Sequence, residues 1–244
     1  MIDGGSTDGS KDVIEQYKSA FSYWCSEPDN GVYHAQNKGI AKATGEYVNC
    51  MNSGDVYVEK DTLAHVIREG LVGDVVYGDW IRDESVGMIY KSAPSVMSPI
   101  FIFTDNVCHQ SMFVKTQLLQ EKGFDENMKI FADWQRWREM VWEGKHFQYL
   151  SFPICLYEPG GLSDTSSPQN TLERKMMYER IPIEIKASVD EHTKLKEKLM
   201  RFENNPFMKD TYQLVFERPL YCHFIKINLW ILKRTKKVLD YFKL

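Results

Sequence analysis

The 244-residue chain has no excess of positive charge, no paired cysteines and no long apolar run. Its formal net charge is −4, so it lacks the broad basic surface that sequence-independent nucleic-acid binding needs, and we expect no nucleic-acid partner. No apolar run reaches the roughly 18 residues of a membrane-spanning helix. The amino terminus also lacks the pattern of a secretion signal, and together these features predict a cytoplasmic protein.

Cysteines are few and widely separated. No two of them form a CxxC pair, so the sequence favours neither a zinc site nor a redox dithiol. Buried free thiols in a reducing compartment are the simpler interpretation. The five positions are Cys25, Cys50, Cys108, Cys155 and Cys222.

Hydrophobic residues make up 43% of the chain, which is enough for a core of ordinary size. Residues 46–51 and 74–78 resemble strands, and the apolar spacing between them is helical. Alternation of this kind predicts βα units and a mostly parallel sheet. Further along, we predict a helix over 132–143, short strands over 147–150 and 154–157, and helices from residue 171 onward.

The opening segment IDGGSTDGS reads as the end of a strand followed by a glycine-rich turn. Glycines there would let a ligand approach the backbone closely, and Asp3 would offer acceptors to a base or ribose. Clusters of Asp, Gly, Ser and Thr also form ordinary turns and helix caps, so the turn alone does not establish a site.

Several segments in a fixed order carry a resemblance to a known family. They are IDGGSTDGS, SEPDNGVYHAQNKGI, ATGEYVNCMNSGD, CHQSMF and KIFADWQRWREM. The chain resembles bacterial family 2 glycosyltransferases over about residues 1–165. The resemblance implies the α/β GT-A fold, which is Rossmann-like with a mixed sheet and flanking helices, and transfer of sugars from nucleotide-sugar donors. We therefore expect a catalytic domain over 1–165 and a helical carboxyl-terminal extension over 166–244.

The resemblance also implies roles for particular residues. Asp133 would be the catalytic base, and Asp55 would bind a divalent metal, Mn²⁺ or Mg²⁺. His109 and Gln110 would lie on the acceptor side. The residues expected to bind the nucleotide and donor sugar are Asp3, Gly5, Ser6, Asp29, Asn37, Lys38, Asn52 and Ser53.

Physical chemistry supports these roles and also offers plainer ones. A departing diphosphate needs a hard cation, and an acceptor hydroxyl needs a base. Yet Asp133 could be a first-turn helix acid, Asp55 a turn residue and His109 a structural histidine. The metal motif has Asn52 and Gly54 where many relatives have aspartates, so we expect weak metal affinity without the donor.

Relatives begin with a strand and a helix before the turn that opens this chain, roughly 25 to 30 residues on average element lengths. We therefore expect Met1 to be an internal methionine, an alternative start or the edge of a truncated gene. The hypothesis that follows is that this chain has poor stability or impaired catalysis. The missing strand should be central in the sheet, and its loss would leave backbone groups unpaired.

Basic, aromatic and aliphatic residues alternate over 218–244. Such a helix can lie on an anionic membrane surface, at the inner face of the cytoplasmic membrane, or pack against protein. Our functional prediction is an inverting transferase that moves a sugar, from a UDP-sugar donor, to a glycan or lipid-linked acceptor of cell-surface polysaccharide. The alternatives are a remnant that binds nucleotide weakly or acts only through interactions and, less favoured, a nucleotidyltransferase.

Overall fold

A computed structural model describes residues 1–85 and 87–203 of the chain. The strands in this part are β1 (Ile2–Asp3), β2 (Cys25–Ser26), β3 (Tyr47–Val48), β4 (Val56–Tyr57), β5 (Val75–Glu84), β6 (Gly87–Lys91), β7 (Met112–Lys115) and β8 (Phe147–Tyr157). The helices are α1 (Ser10–Gln16), α2 (Val32–Lys42), α3 (Thr62–Glu69), α4 (Pro99–Thr104), α5 (Thr116–Glu121), α6 (Ala132–Trp142), α7 (Pro168–Glu179) and α8 (Ile183–Glu203).

Six strands form the main sheet, in the order β3-β7-β5-β8-β4 with β6 added to β5. The predicted mixed α/β architecture is confirmed, but the expectation of a mostly parallel sheet is wrong. Within this sheet only β5 and β8 run parallel, whereas the other described pairings are antiparallel. The short connection between β5 and β6 explains why these two strands are antiparallel, since parallel strands need a long crossover.

β1 and β2 form a separate two-stranded parallel ladder, with Ile2 opposite Cys25 and Asp3 opposite Ser26. Among the described residues β1 pairs only with β2, and β3 pairs only with β7. The loops after β1 and β2 carry the opening turn and the segment before α2, so this small ladder brings the two segments together.

The central strands supply the core. Val75, Val76 and Tyr77 of β5 are fully buried, and a cluster joins β5, β7, β8 and α3. The predicted helix over 132–143 is confirmed as α6, followed at Gly144 by a residue with φ of 75°. The predicted strands 147–150 and 154–157 form one continuous strand, β8, because both halves pair with β5 across an irregularity at Gly78 and Asp79.

The chain divides into two compact units, one of Met1–Lys186 and one that begins at Ala187. The predicted division at residue 165 stays a prediction. The basic segment 218–244 and Cys222 lie outside the described residues, so its membrane contact is likewise still a prediction. Within residues 1–85 and 87–203, no helix is both long and apolar enough to cross a bilayer.

Candidate active site

A cavity of about 400 Å³ opens among the first turn of α2, the end of β5, the loop before β7 and the start of α6. Four of the residues predicted from the sequence lie in its wall, although they are far apart in the chain. These four are Asn52, His109, Gln110 and Asp133.

Asp133 is held in the first turn of α6 with only 9% of its side chain exposed. Its Oδ1 accepts hydrogen bonds from the Tyr33 hydroxyl and the Trp134 backbone N–H, both at 2.8 Å. Its Oδ2 lies 2.8 Å from Nδ1 of His109. Burial opposes ionisation, but the hydrogen bonds from His109 and Tyr33 outweigh it and hold the pKa of Asp133 below its ordinary value.

The segment that leads into Asp133 is fixed by a residue that the sequence analysis missed. Glu173 of α7 is fully buried, and its carboxylate accepts hydrogen bonds from three successive backbone N–H groups, those of Lys129, Ile130 and Phe131. Tyr33 also donates to the Ile130 carbonyl at 2.7 Å. No sequence signal marks Glu173, because a glutamate in a polar helix is ordinarily solvent-exposed.

His109 lies between Asp133 and Asn52. Its Nε2 is 3.2 Å from Nδ2 of Asn52, whose Oδ1 accepts a hydrogen bond from Gln36 Nε2 at 3.1 Å. An unbroken chain of polar contacts therefore runs from α2 through residue 52 to the carboxylate at the start of α6.

His109 begins a short helical turn that spans His109–Ser111. Asp55 contacts the next residue of this turn, Gln110. Its Oδ2 accepts a short hydrogen bond from the Gln110 side chain, and the Glu158 backbone N–H lies 3.4 Å from its Oδ1. Gly54, which precedes it, has φ of 95°, and a Cβ there would come within 2.9 Å of the Glu158 carboxylate. Asp55 and the exposed Glu158, the residue after β8, therefore bring two carboxylates close together.

The donor atoms around Asp55 decide what kind of metal binding is possible. Among the described residues, no group of three or more His, Cys, Asp or Glu side chains is placed to hold a metal ion. One or two carboxylates suit a hard cation whose remaining ligands are phosphate oxygens and water. The loop therefore fits a metal that binds together with a diphosphate and does not fit a site built wholly from protein.

The opening turn is stabilised by its own aspartate. The Asp3 carboxylate accepts hydrogen bonds from Gly5 N, from both the backbone and hydroxyl of Ser6, and from the Ser26 hydroxyl. The hydrogen bond from the Ser6 hydroxyl is the largest cause of its lowered pKa. A side chain at Gly4 would collide with the Asp29 carboxylate, so this turn packs tightly against the segment before α2.

Three more of the residues predicted to bind the donor, Asn37, Lys38 and Ser53, also lie outside the cavity wall. Asn37 holds the Phe124 backbone with both side-chain atoms and also donates to Glu126. Lys38 pairs with Glu27 at 2.9 Å, and Ser53 is exposed. Their predicted roles toward a donor stay predictions.

One wall of the cavity is aromatic, and the sequence analysis did not identify it. It contains Trp80 and Tyr157, with the Arg82 guanidinium 5.7 Å from the Tyr157 ring centre. Asp164 accepts from both the Tyr157 hydroxyl and Arg82, at 2.8 and 3.1 Å. These residues come from β5, from the end of β8 and from the segment after it, and only the fold brings them to the same cavity as Asp133.

The family model for glycosyl transferase family 2 matches residues 1–144, more than half of the chain. The chain belongs to glycosyl transferase family 2. A biosynthesis glycosyltransferase for PGL/p-HBAD from Mycobacterium bovis is 30% identical over 194 residues, covering 76% of this chain and 75% of the relative. An uncharacterised glycosyltransferase of Mycobacterium tuberculosis is 31% identical over 139 residues, covering 54% and 53%. The assignment as a glycosyltransferase is thus confirmed.

Solved structures confirm the GT-A fold of this family 2 member. TarS from S. aureus, solved with UDP-GlcNAc, aligns with a TM-score of 0.59 and 18% identity, over 79% of this chain and 60% of its own. The mannosyltransferase PcManGT from Pyrobaculum calidifontis, solved with GDP-Man and Mn²⁺, aligns with a TM-score of 0.51 and 14% identity, over 98% and 72%. This chain thus spans less than two thirds of the TarS chain.

Proposed function

We propose that this family 2 protein transfers a sugar, with inversion, from a nucleotide-diphosphate donor to a hydroxyl of a glycan or lipid-linked acceptor. The observation that carries the proposal is the buried Asp133, which lies in a cavity wall together with Asn52 and His109. A carboxylate centre at one wall can remove the acceptor proton, and Asn52, three residues before Asp55, lines the same cavity. Family membership supports the nucleotide-sugar donor.

A UDP-sugar is the donor we favour, since a neighbour in fold was solved with UDP-GlcNAc. A divalent cation, Mn²⁺ or Mg²⁺, would neutralise the charge that develops on the departing diphosphate. Asp55 would hold it, with Glu158 next to it, while Gln110 orients the Asp55 carboxylate. The segments around Asp3 and Asp29 would position the nucleotide.

The acceptor would enter along the wall of Trp80 and Tyr157. Aromatic faces stack on apolar faces of sugars or on aromatic rings, and the Arg82 and Asp164 side chains offer polar contacts at the rim. A glycan or lipid-linked acceptor at the inner face of the cytoplasmic membrane, for cell-surface polysaccharide, would suit this wall.

Titration calorimetry of UDP with Mn²⁺ into the purified chain tests the donor site. We expect saturable binding that weakens at least about tenfold in Asp55→Asn, because a charge-assisted ligand is lost. Asp61→Asn is the matched control, since Asp61 is an exposed residue before α3 that makes no side-chain cap.

Equal binding in both variants would overturn the role of Asp55. Absence of UDP binding in the wild type would overturn the UDP donor, and GDP would then be titrated in the same way. Saturable binding without release of nucleoside diphosphate from UDP-GlcNAc or GDP-Man, with acceptor extracts present, would favour the non-catalytic alternative.

A further inference from the structure

We propose that Cys108 and Cys155 are a modification site, at which a low-molecular-weight disulfide oxidises the two thiols to a reversible protein disulfide and so weakens ligand binding at Asp55. Disulfide formation needs only the two cysteines, whereas its effect at Asp55 rests on the proposed function. Neither thiol has a part in the sugar transfer proposed above.

The two thiols are far apart in the chain but in contact in the fold. Cys108 and Cys155 are separated by 47 positions, yet their sulfur atoms lie 3.7 Å apart. Cys155 is a fully buried residue of β8, paired with Trp80 of β5 and Tyr57 of β4. Cys108 directly precedes the His109–Ser111 turn, which packs against β8. Cysteines this far apart have no CxxC signature, so only the fold reveals the pair.

Cys108 is the thiol that a small oxidant can reach. As a residue it is partly exposed and lines the cavity, whereas Cys155 has no exposed surface. A disulfide needs the two sulfur atoms about 2 Å apart. We expect the Cys108 side chain to close the gap by rotation about its Cα–Cβ bond, because it belongs to a loop and Cys155 to an inner strand of the sheet.

The surroundings of Cys108 keep the reduced pair stable until an oxidant is present in excess. Burial, followed by the hydrogen bond with Cys155, raises the pKa of the Cys108 thiol well above its ordinary value. Since the thiolate is the form that attacks a disulfide, exchange at this site is slow at neutral pH. Disulfides that form in a reducing compartment are typically transient and regulatory.

Gln110 links the Cys108 thiol to Asp55. The Cys108 S–H donates to Oε1 of Gln110 at 2.8 Å, and Nε2 of the same amide donates a short hydrogen bond to the Asp55 carboxylate. Disulfide formation removes the S–H hydrogen and leaves Oε1 without this donor. Only 1% of Gln110 is exposed, so bulk water does not replace the lost partner. We expect the amide to shift and the Asp55 carboxylate to lose its fixed orientation.

The oxidation balances as two successive thiol–disulfide exchanges. The Cys108 thiolate attacks one sulfur of the small disulfide, whose S–S bond breaks and releases the first small thiolate. The Cys155 thiolate then attacks the Cys108 sulfur of the mixed disulfide, and the second small thiolate leaves. The two cysteines lose two electrons and two protons, which the small disulfide takes up as it becomes two thiols.

Peptide mapping tests the pair. The reduced chain is incubated with excess cystamine, a small disulfide, its remaining thiols are alkylated, and its tryptic peptides are identified by mass spectrometry. We expect Cys108 and Cys155 in one linked pair of peptides that dithiothreitol separates, with the circular dichroism of the folded chain unchanged. The link should be absent from Cys108→Ala and from Cys155→Ala, and present in the control Cys25→Ala. Any other state of the two cysteines in the wild type, free or linked elsewhere, would overturn the proposal.

Calorimetry of UDP with Mn²⁺ tests the effect at Asp55. We expect the linked wild type to bind about tenfold more weakly than the reduced form, the effect of one unsatisfied hydrogen bond, and reduction should restore the affinity. Cys108→Ser is the control: its hydroxyl can still donate to Gln110 but cannot form a disulfide, so its affinity should be the same with and without cystamine.

Failure of the two ideas can be told apart. A link that forms without changing UDP affinity, or an equal loss in cystamine-treated Cys108→Ser, would overturn the coupling through Gln110. Absence of UDP binding in the reduced wild type would instead count against the proposed UDP donor, and the peptide map would still decide whether Cys108 and Cys155 form the disulfide.

Discussion

Replacing Glu173 with glutamine tests whether the segment before Asp133 is held by a buried charge. Oε2 of Glu173 accepts from Ile130 N and Phe131 N at 3.0 Å, and Oε1 accepts from Lys129 N and from Gln169 Nε2, both at 2.6 Å. Glutamine keeps one oxygen acceptor and places an NH₂ group where the other was. Either the Lys129 and Gln169 donors or the Ile130 and Phe131 donors would then face this NH₂ group, which cannot accept a hydrogen bond.

The expected loss of stability follows from this count. A hydrogen bond to a charged group contributes about 1.5–3 kcal/mol, and an unsatisfied buried N–H costs about 1–3 kcal/mol. For Glu173→Gln we therefore expect a loss of about 2–4 kcal/mol in the free energy of unfolding. In a chain of this size, that corresponds to a decrease in Tm of roughly 5 to 12 °C.

Urea and thermal unfolding followed by circular dichroism provide the assay. Glu179→Gln is the matched control on the same helix, because Glu179 is exposed and its ion pair with Lys175 is long at 4.0 Å. A surface pair of this kind contributes about 0–1 kcal/mol, so the control should stay close to wild type. Equal effects of the two substitutions would refute the role of Glu173 in holding the Lys129–Phe131 backbone.

Three further substitutions and conditions have defined outcomes. Asn37→Ala removes two hydrogen bonds to the Phe124 backbone and should lower the free energy of unfolding, measured in urea, by about 2–3 kcal/mol. Unchanged stability would contradict a stabilising role for these two bonds. Gly54→Ala places a side chain at φ of 95° and should cost about 1 kcal/mol or more, read from Tm. The stabilisation of wild type over His109→Gln should be greatest below pH 6.5 and decline as pH rises through the raised His109 pKa; at the acid end it is lost as pH falls through the lowered Asp133 pKa. A pH-independent difference in unfolding free energy would exclude this ion pair.

Local sequence patterns were sufficient for α6, whose end Gly144 marked. The motifs that carry the family resemblance singled out Asn52, His109 and Asp133, which line one cavity, whereas Asp55 is not among its lining residues. These signals are local or are carried by short motifs, so they do not depend on which strands pair.

Strand pairing and the support of Asp133 could not be derived in the same way. The alternation of strands and helices suggested a parallel sheet, but β5 pairs with β6 and β7 antiparallel. Glu173 lies 40 residues beyond Asp133 in a polar helix, and only the folded chain shows that it is buried against the Lys129–Phe131 backbone. Side-chain periodicity describes one element and contains no information about its partner.

The turn at His109–Ser111 connects the two halves of the proposed chemistry. His109 contacts Asp133, and the adjacent Gln110 contacts Asp55, so successive residues hold the deprotonating group and the diphosphate-side carboxylate. Asn49 fixes the Gln110 carbonyl at 2.9 Å. Because neighbouring residues of one short turn cannot separate, a shift of this turn displaces both groups together. The inverting transfer proposed above would need the attacking and departing oxygens on opposite sides of one carbon, and a shared turn keeps the supports of both in a fixed relation.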